Sequence, residues 1–310
     1  MGSTAAMAGM RKEFARSTEL DDWEYYGDAT LELEWKPISF GSGVAFTETS
    51  DPIDLVTFTQ RLQVIRSSET PFVRFRQDRW DVFAQYLHQR FEFTDHDFSF
   101  NDYRKNQGLL RVKYAFSDDW AVFAQGMGGH TDFELRVKND YDLAEATLGV
   151  QGHPLAPFDF IVEAGWRSHD FDPDSGGLVL EDDYNSWVAR VTLRWKPTDA
   201  DQLIAAYSHG VEESVQTNFQ TVDRAQLRYT RTFGDRFDVS AQTAFELRRE
   251  ADEDVTQDRK EVFTGGLSAT YRILPWLPAN ATYTYSEKWS NDDVGEYEDH
   301  RAMLSTTIQF

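Results

Sequence analysis

The chain has 310 residues, enough for one large β domain or two ordinary ones, and 15% of it is aromatic although only 40% is hydrophobic and the mean hydropathy is −0.58. It contains no run of about eighteen apolar residues, which excludes a transmembrane helix but leaves strands free to cross a bilayer, since a barrel shows lipid only every second residue. The absence of cysteine excludes disulfides, thiolate metal sites and cysteine nucleophiles; a net charge of −22 speaks against a nucleic-acid partner and fits either solubility or an acidic outer surface that holds divalent cations.

Residues 1–10 contain Ala6-Met7-Ala8, a small-x-small pattern like a signal-peptidase site. They read as the remnant of a signal peptide or a cloning scar, and residues 11–310 as one domain. A short first strand is expected over Arg11–Ser17, followed by an acidic, aromatic loop over Glu19–Asp28. Leu31, Leu33 and Trp35 then alternate with Glu32 and Glu34, Lys36-Pro37 turns the chain, and 38–49 returns.

From Asp51 one module recurs: a strand, a short turn rich in Asp, Gly or Pro, a second strand that opens on an aromatic, and a long polar loop. The predicted pairs are 54–77/80–93, 103–116/120–133, 141–152/158–170, 184–195/202–213, 221–233/236–249 and 259–273/277–289, with 299–310 last. The contexts R-F-R-Q-D-R-W-D-V-F-A-Q and Y-A-F-S-D-D-W-A-V-F-A-Q match around two of the turns. Ser67 to Pro71 inside 54–77 reads as a bulge or an extra turn, because proline breaks a ladder. The connections 94–102, 168–183, 250–258 and 291–299 are longer and acidic. The total is about sixteen strands, an even number that brings both termini to the short-turn end.

Period-two alternation sorts the faces. Ala225, Leu227, Tyr229 and Phe233 oppose Arg224, Gln226, Arg228 and Thr230; Trp187, Val191, Leu193 and Trp195 oppose Arg190, Thr192 and Arg194. Val239 and Phe245 are expected to face outward with them. Aromatics mark strand ends: Trp35, Trp80, Trp120, Phe158, Trp195, Phe233, Phe237, Trp276 and Phe310 near short turns, and Tyr184, Trp187 and Trp289 near loops. That is the placement of two interfacial girdles. A soluble two-sheet sandwich leaves it unexplained, and its strands usually run five or six residues.

With the apolar face turned to lipid, the other face receives Arg74, Arg76, Arg111, Lys113, Arg190, Arg194, Arg224, Arg228, Arg248, Arg272 and Arg301 as pore-lining candidates, against the acids Glu145, Glu163, Asp238 and Glu246. A basic lining favours anions, whereas arginine and glutamate on neighbouring strands also pair and brace the wall. No catalytic motif is present, and no enzyme activity, metal site or cofactor is expected. Ser208-His209 lacks an assigned orienter, His96 between Asp95 and Asp97 reads as a solvated loop histidine, and Asp170 to Gly177 has alternating oxygens like a calcium loop but no glutamate at the twelfth position.

The terminal stretch H-R-A-M-L-S-T-T-I-Q-F alternates and ends on Phe310, which resembles the closing strand of bacterial outer-membrane barrels, the segment read by the insertion machinery. With the cadence Ala281-Thr282-Tyr283-Thr284-Tyr285-Ser286 and the hairpin grammar, the chain resembles, from about Trp23 onward, the porin-like barrels of Gram-negative envelopes, in particular a β-barrel porin group often linked to exopolysaccharide loci. The resemblance implies an all-β, closed antiparallel up-and-down transmembrane barrel over 11–310. It also implies passive diffusion or export of hydrophilic solutes, anionic or saccharide among them, and outer-membrane lipid and lipopolysaccharide as partners. Against classical porins the sequence lacks an evident long constriction loop. The alternatives are a closed scaffold barrel that sheathes a partner such as a multihaem electron conduit, and a barrel enzyme or soluble β protein.

Overall fold

The computed structural model describes residues 2–12, 22–49, 63–94, 96–134, 139–172, 183–213, 219–250, 259–274, 276–290 and 296–306. They form β1 (Gly2–Lys12), β2 (Asp22–Trp35), β3 (Ile38–Thr49), β4 (Val64–Gln77), β5 (Trp80–Phe93), β6 (Tyr103–Ala115), β7 (Trp120–Phe133) and β8 (Tyr141–Leu155). Next come β9 (Phe158–Phe171), β10 (Tyr184–Thr198), β11 (Asp201–Glu213), β12 (Phe219–Phe233), β13 (Phe237–Glu250), β14 (Arg259–Leu274), β15 (Leu277–Ser290) and β16 (Tyr297–Thr306). One sheet joins them, every strand antiparallel to its neighbours in chain order from β1 to β16. No pair between β1 and β16 is formed among the described residues, and 307–310, with Phe310, lie outside them.

Local chemistry sets the hairpins. Asp78 and Gly234 take positive φ, 51° and 58°, which lets the chain reverse within two or three residues. Each short turn is then tied to the next hairpin: the amides of Arg76, Ala115 and Arg272 donate to the carbonyls of Pro37, Arg79 and Arg236, each at 2.8 Å. At the opposite end, Asp102 and Asp140 precede Tyr103 and Tyr141, and their Oδ1 atoms accept the amides of Phe93 and Phe133 at 2.7 Å. A Phe-ended strand and an Asp-Tyr start are thus closed by one side chain. Between them, His96–Asn101 form a short 3-10 turn.

Two expectations about strands are corrected. The first strand is Gly2–Lys12, paired with β2 from Gly2↔Glu32 to Lys12↔Asp22, so it starts well before the expected Arg11–Ser17, of which 13–17 lie outside the described residues. The small residues of Ser3-Thr4-Ala5-Ala6 give no alternation to read. In the second hairpin Ser67 to Pro71 makes neither bulge nor turn. The β4–β5 ladder skips Thr70 and Pro71, then resumes at Phe72↔Gln85 in the register it had at Glu69↔His88. Proline has no N–H to donate, so the sheet loses bonds there and keeps its alignment. Residues 54–62 of that predicted strand lie outside the described ones.

Cross-strand partners share a face, so the register sorts every side chain. Val82, Val112, Ala124, Leu148, Ala164, Ala189 and Val191 lie on one face, joined to Leu193, Ala205, Leu227 and Tyr229, and then to Ala241, Leu267, Tyr283 and Ala302. This face is an uninterrupted apolar belt left open to its surroundings: Leu148 is 70% exposed and Leu304 82%. Leu227, Tyr229, Val191, Leu193 and Phe245 are exposed on it, and Val239 shares its parity, as expected. Trp35, Trp80, Trp195 and Trp276 rim the short-turn edge, and Trp166, Trp187 and Trp289 the other. Tyr184 departs from the expected girdle. It pairs with His169 on the opposite face and packs its ring 4.0 Å from that of Phe219.

The sheet curls toward that opposite face. Arg111 on β6 reaches Glu163 on β9 at 3.5 Å, three strands away, a separation of about 14 Å across a flat sheet at the usual strand spacing.

Candidate functional site

The concave face is where charge is concentrated, and each charged group is carried by a strand whose alternate residues feed the apolar belt. The register places all eleven candidates, Arg74, Arg76, Arg111, Lys113, Arg190, Arg194, Arg224, Arg228, Arg248, Arg272 and Arg301, on this one face. The expected acids Glu145, Glu163, Asp238 and Glu246 share it.

The charges form clusters in which cations exceed acids. Near the short turns Asp81 accepts from Arg74 Nε at 2.7 Å and lies 3.5 Å from Arg76 and 3.6 Å from Lys113. At mid-wall Glu163 lies 2.7 Å from Arg190 and 3.5 Å from Arg111, and Arg194 lies 3.9 Å from Asp159. Farther round, Glu246 binds Arg224 at 2.6 Å and Arg248 at 2.7 Å. Asp238 binds Arg272 at 2.5 Å, Asp299 binds Arg301 at 2.5 Å, and Arg228 donates to Gln242 Oε1 at 2.7 Å.

Phe123 supports this arrangement. Its ring fills the space a side chain would take at Gly149, and the Arg111 guanidinium sits 4.2 Å above its centre, aimed at Glu163. A cation stacked on a ring keeps its in-plane N–H groups for hydrogen bonds.

Sequence reasoning missed several members. Arg167 shares the parity of Glu163 and donates from Nε to Glu145 Oε2 at 2.7 Å. Asp81, Asp159 and Asp299 are further acids on this face, so the lining is less basic than the sequence count implied. Alternation contained the signal for all four. Ser208-His209 is resolved by the same rule: His209 Nδ1 meets Asp223 Oδ1 at 2.9 Å, but Ser208 points to the other face. The two cannot act as nucleophile and base together. The side chain of His96 and most of the Asp170–Gly177 segment lie outside what is described.

An apolar belt on one face, paired charges on the other and a strictly sequential meander describe a membrane β-sheet, and the family comparison decides which kind. Residues 45–310 match the model of the family described as "Putative beta-barrel porin 2". The chain belongs to this family. No curated protein sequence matches it. Among solved structures it is similar to the FrpB iron transporter from Neisseria meningitidis (F3-3 variant), at 9% identity and a TM-score of 0.57 over 94% of this chain and 57% of that one. It is also similar to the ferric citrate transporter FecA in its unliganded form, at 10% identity and 0.54 over 92% and 55%. The chain thus spans little more than half the length of these outer-membrane proteins, and the likeness is one of fold.

Proposed function

We propose that the sheet closes into a barrel in the outer membrane of a Gram-negative bacterium and acts as a porin-like channel, its charged concave face lining a passage for hydrophilic solutes. The observation that carries this reading is the two-faced sheet. Its apolar belt is far larger than the few hundred Å² a soluble protein leaves open, whereas its other face carries ionic side chains on every strand from β4 to β16 except β7. From Trp187 to Trp195 the belt spans eight residues, roughly 26 Å along the strand and about 20 Å along the normal at a tilt of about 40°, near the height of a barrel's apolar band. Outer-membrane lipid, lipopolysaccharide and the barrel-insertion machinery are the partners that follow, and the excess of cations around Asp81 and Glu163 makes an anion-leaning passage.

The second reading, a scaffold barrel that sheathes a partner, draws support from the density of ion pairs, which braces a wall as well as it lines a channel. Vesicle swelling separates the two. Proteoliposomes containing the purified chain should swell in isotonic arabinose and more slowly in raffinose; equal, background rates for both sugars would reject the channel.

A further inference from the structure

The long-loop end of the β11–β12 hairpin does not follow the wall. The β10–β11 ladder ends at Ala189↔His209, although β11 goes on to Glu213 and stays paired with β12 as far as Glu213↔Phe219. By parity Val211 and Phe219 belong with Tyr207 and Leu227 on the apolar belt. They are nevertheless 4% and 3% exposed. Their cover comes from the concave face of other strands: Val211 and Phe219 form one buried cluster with Tyr141, Leu143 and Phe171 of β8 and β9.

Two further sets of contacts fix the tip there. The Phe219 ring stacks on those of His169 and Phe171 at 6.2 and 5.6 Å between centres, and Tyr184 and Thr221 share a hydroxyl contact at 3.2 Å. Arg167 Nη1 donates to the Val211 carbonyl at 2.7 Å while its Nε holds Glu145. That carbonyl would otherwise serve a ladder to β10. Trp187, paired with Trp166 on β9 but beyond the end of the ladder to β11, lies flat on His209 at 3.6 Å.

The belt side of the tip thus lies upon the concave side of β8–β10, a second layer inside the first. We propose that this inturned tip is the constriction of the channel, held by the Arg167–Val211 bond and the aromatic cluster, with Glu212 facing the passage. A recess of about 280 Å³ borders it, bounded among others by Glu163, Arg190, Glu212 and Arg224. Arg224 lies 3.6 Å from Glu212 and 2.6 Å from Glu246, so it links the tip to the adjoining strand β13 as well. A solute crossing at this level meets carboxylates and guanidinia side by side.

The inference rests on the channel reading, and its test has two arms so that the two can fail separately. The chain has no native cysteine, so introduced thiols report alone. In Tyr184→Cys with Phe219→Cys, a short bifunctional methanethiosulfonate should join the two sites in the folded protein, whether or not it conducts. In planar bilayers, Glu212→Cys treated with a bulky neutral thiosulfonate should lose half or more of its conductance, and Phe219→Ala should gain conductance. Failure to cross-link overturns the inward placement. Cross-linking with conductance unmoved by both variants overturns the tip's role in the passage.

Discussion

Asp102 shows how one side chain closes a strand end. Its carboxylate accepts the Phe93 amide at 2.7 Å from a buried position, and burial holds its pKa above the ordinary carboxylate range. The folded chain therefore binds this proton more tightly than the unfolded one. The stability so contributed is complete below the ordinary pKa and is lost as pH rises through the raised one. Asp102→Asn keeps the acceptor and removes the charge. It should raise the urea midpoint at pH 7 and leave it unchanged near pH 3; an equal shift at both would show that charge burial is not the cause. Asp102→Ala leaves the Phe93 amide unsatisfied and should cost about 1–3 kcal/mol at either pH. Gly149 is a second such position. A methyl there meets the Phe123 ring, so Gly149→Ala should destabilise the fold by about 1–3 kcal/mol and loosen the Arg111 stack, read as a lowered unfolding midpoint. The alternation that sorts these residues could be read from the sequence, and it assigned every arginine candidate to one face. What could not be read was the partner of each charge. Asp81 on β5 gathers Arg74, Arg76 and Lys113 from its two flanking strands, and only the register says which residues meet.

At the level of strands and hairpins, the short turns and strand limits were legible because Asp, Gly and Pro punctuate them and aromatics follow. β1 was not, since its small residues carry no period. β4 misled because Pro71 was given the weight it has in an inner ladder, whereas the sheet tolerates two missing pairs with no change of register. The turned-in end of β11–β12 was illegible for a different reason. Val211 and Phe219 keep the parity of the belt, and nothing local to them states that β8–β10 will cover them. The belt itself makes a sharp prediction. Leu227→Arg puts a charge on the apolar face and should cost about 2–4 kcal/mol in a bilayer, while Gln226→Arg, one residue away on the concave face, should cost little. Urea unfolding in lipid vesicles reads both; similar losses for the two would mean that the faces are assigned wrongly.

Across the whole molecule, the sequential meander, the family match over 45–310 and the two-faced sheet support a single account: a membrane barrel whose interior carries clustered charge with cations in excess. The net charge of −22 belongs to the chain as a whole. At a physiological Debye length of about 8 Å, distant loop acids act on a passing ion less than the groups at the narrowest level. The measurement that tests the account most directly is reversal potential across a salt gradient in a planar bilayer, on the wild-type chain and on Arg190→Glu with Arg228→Glu. The account predicts discrete conductance steps with a preference for the anion, weakened or reversed in the double variant. A wild-type chain that never conducts, or conducts with a cation preference that the two substitutions leave unchanged, would contradict it.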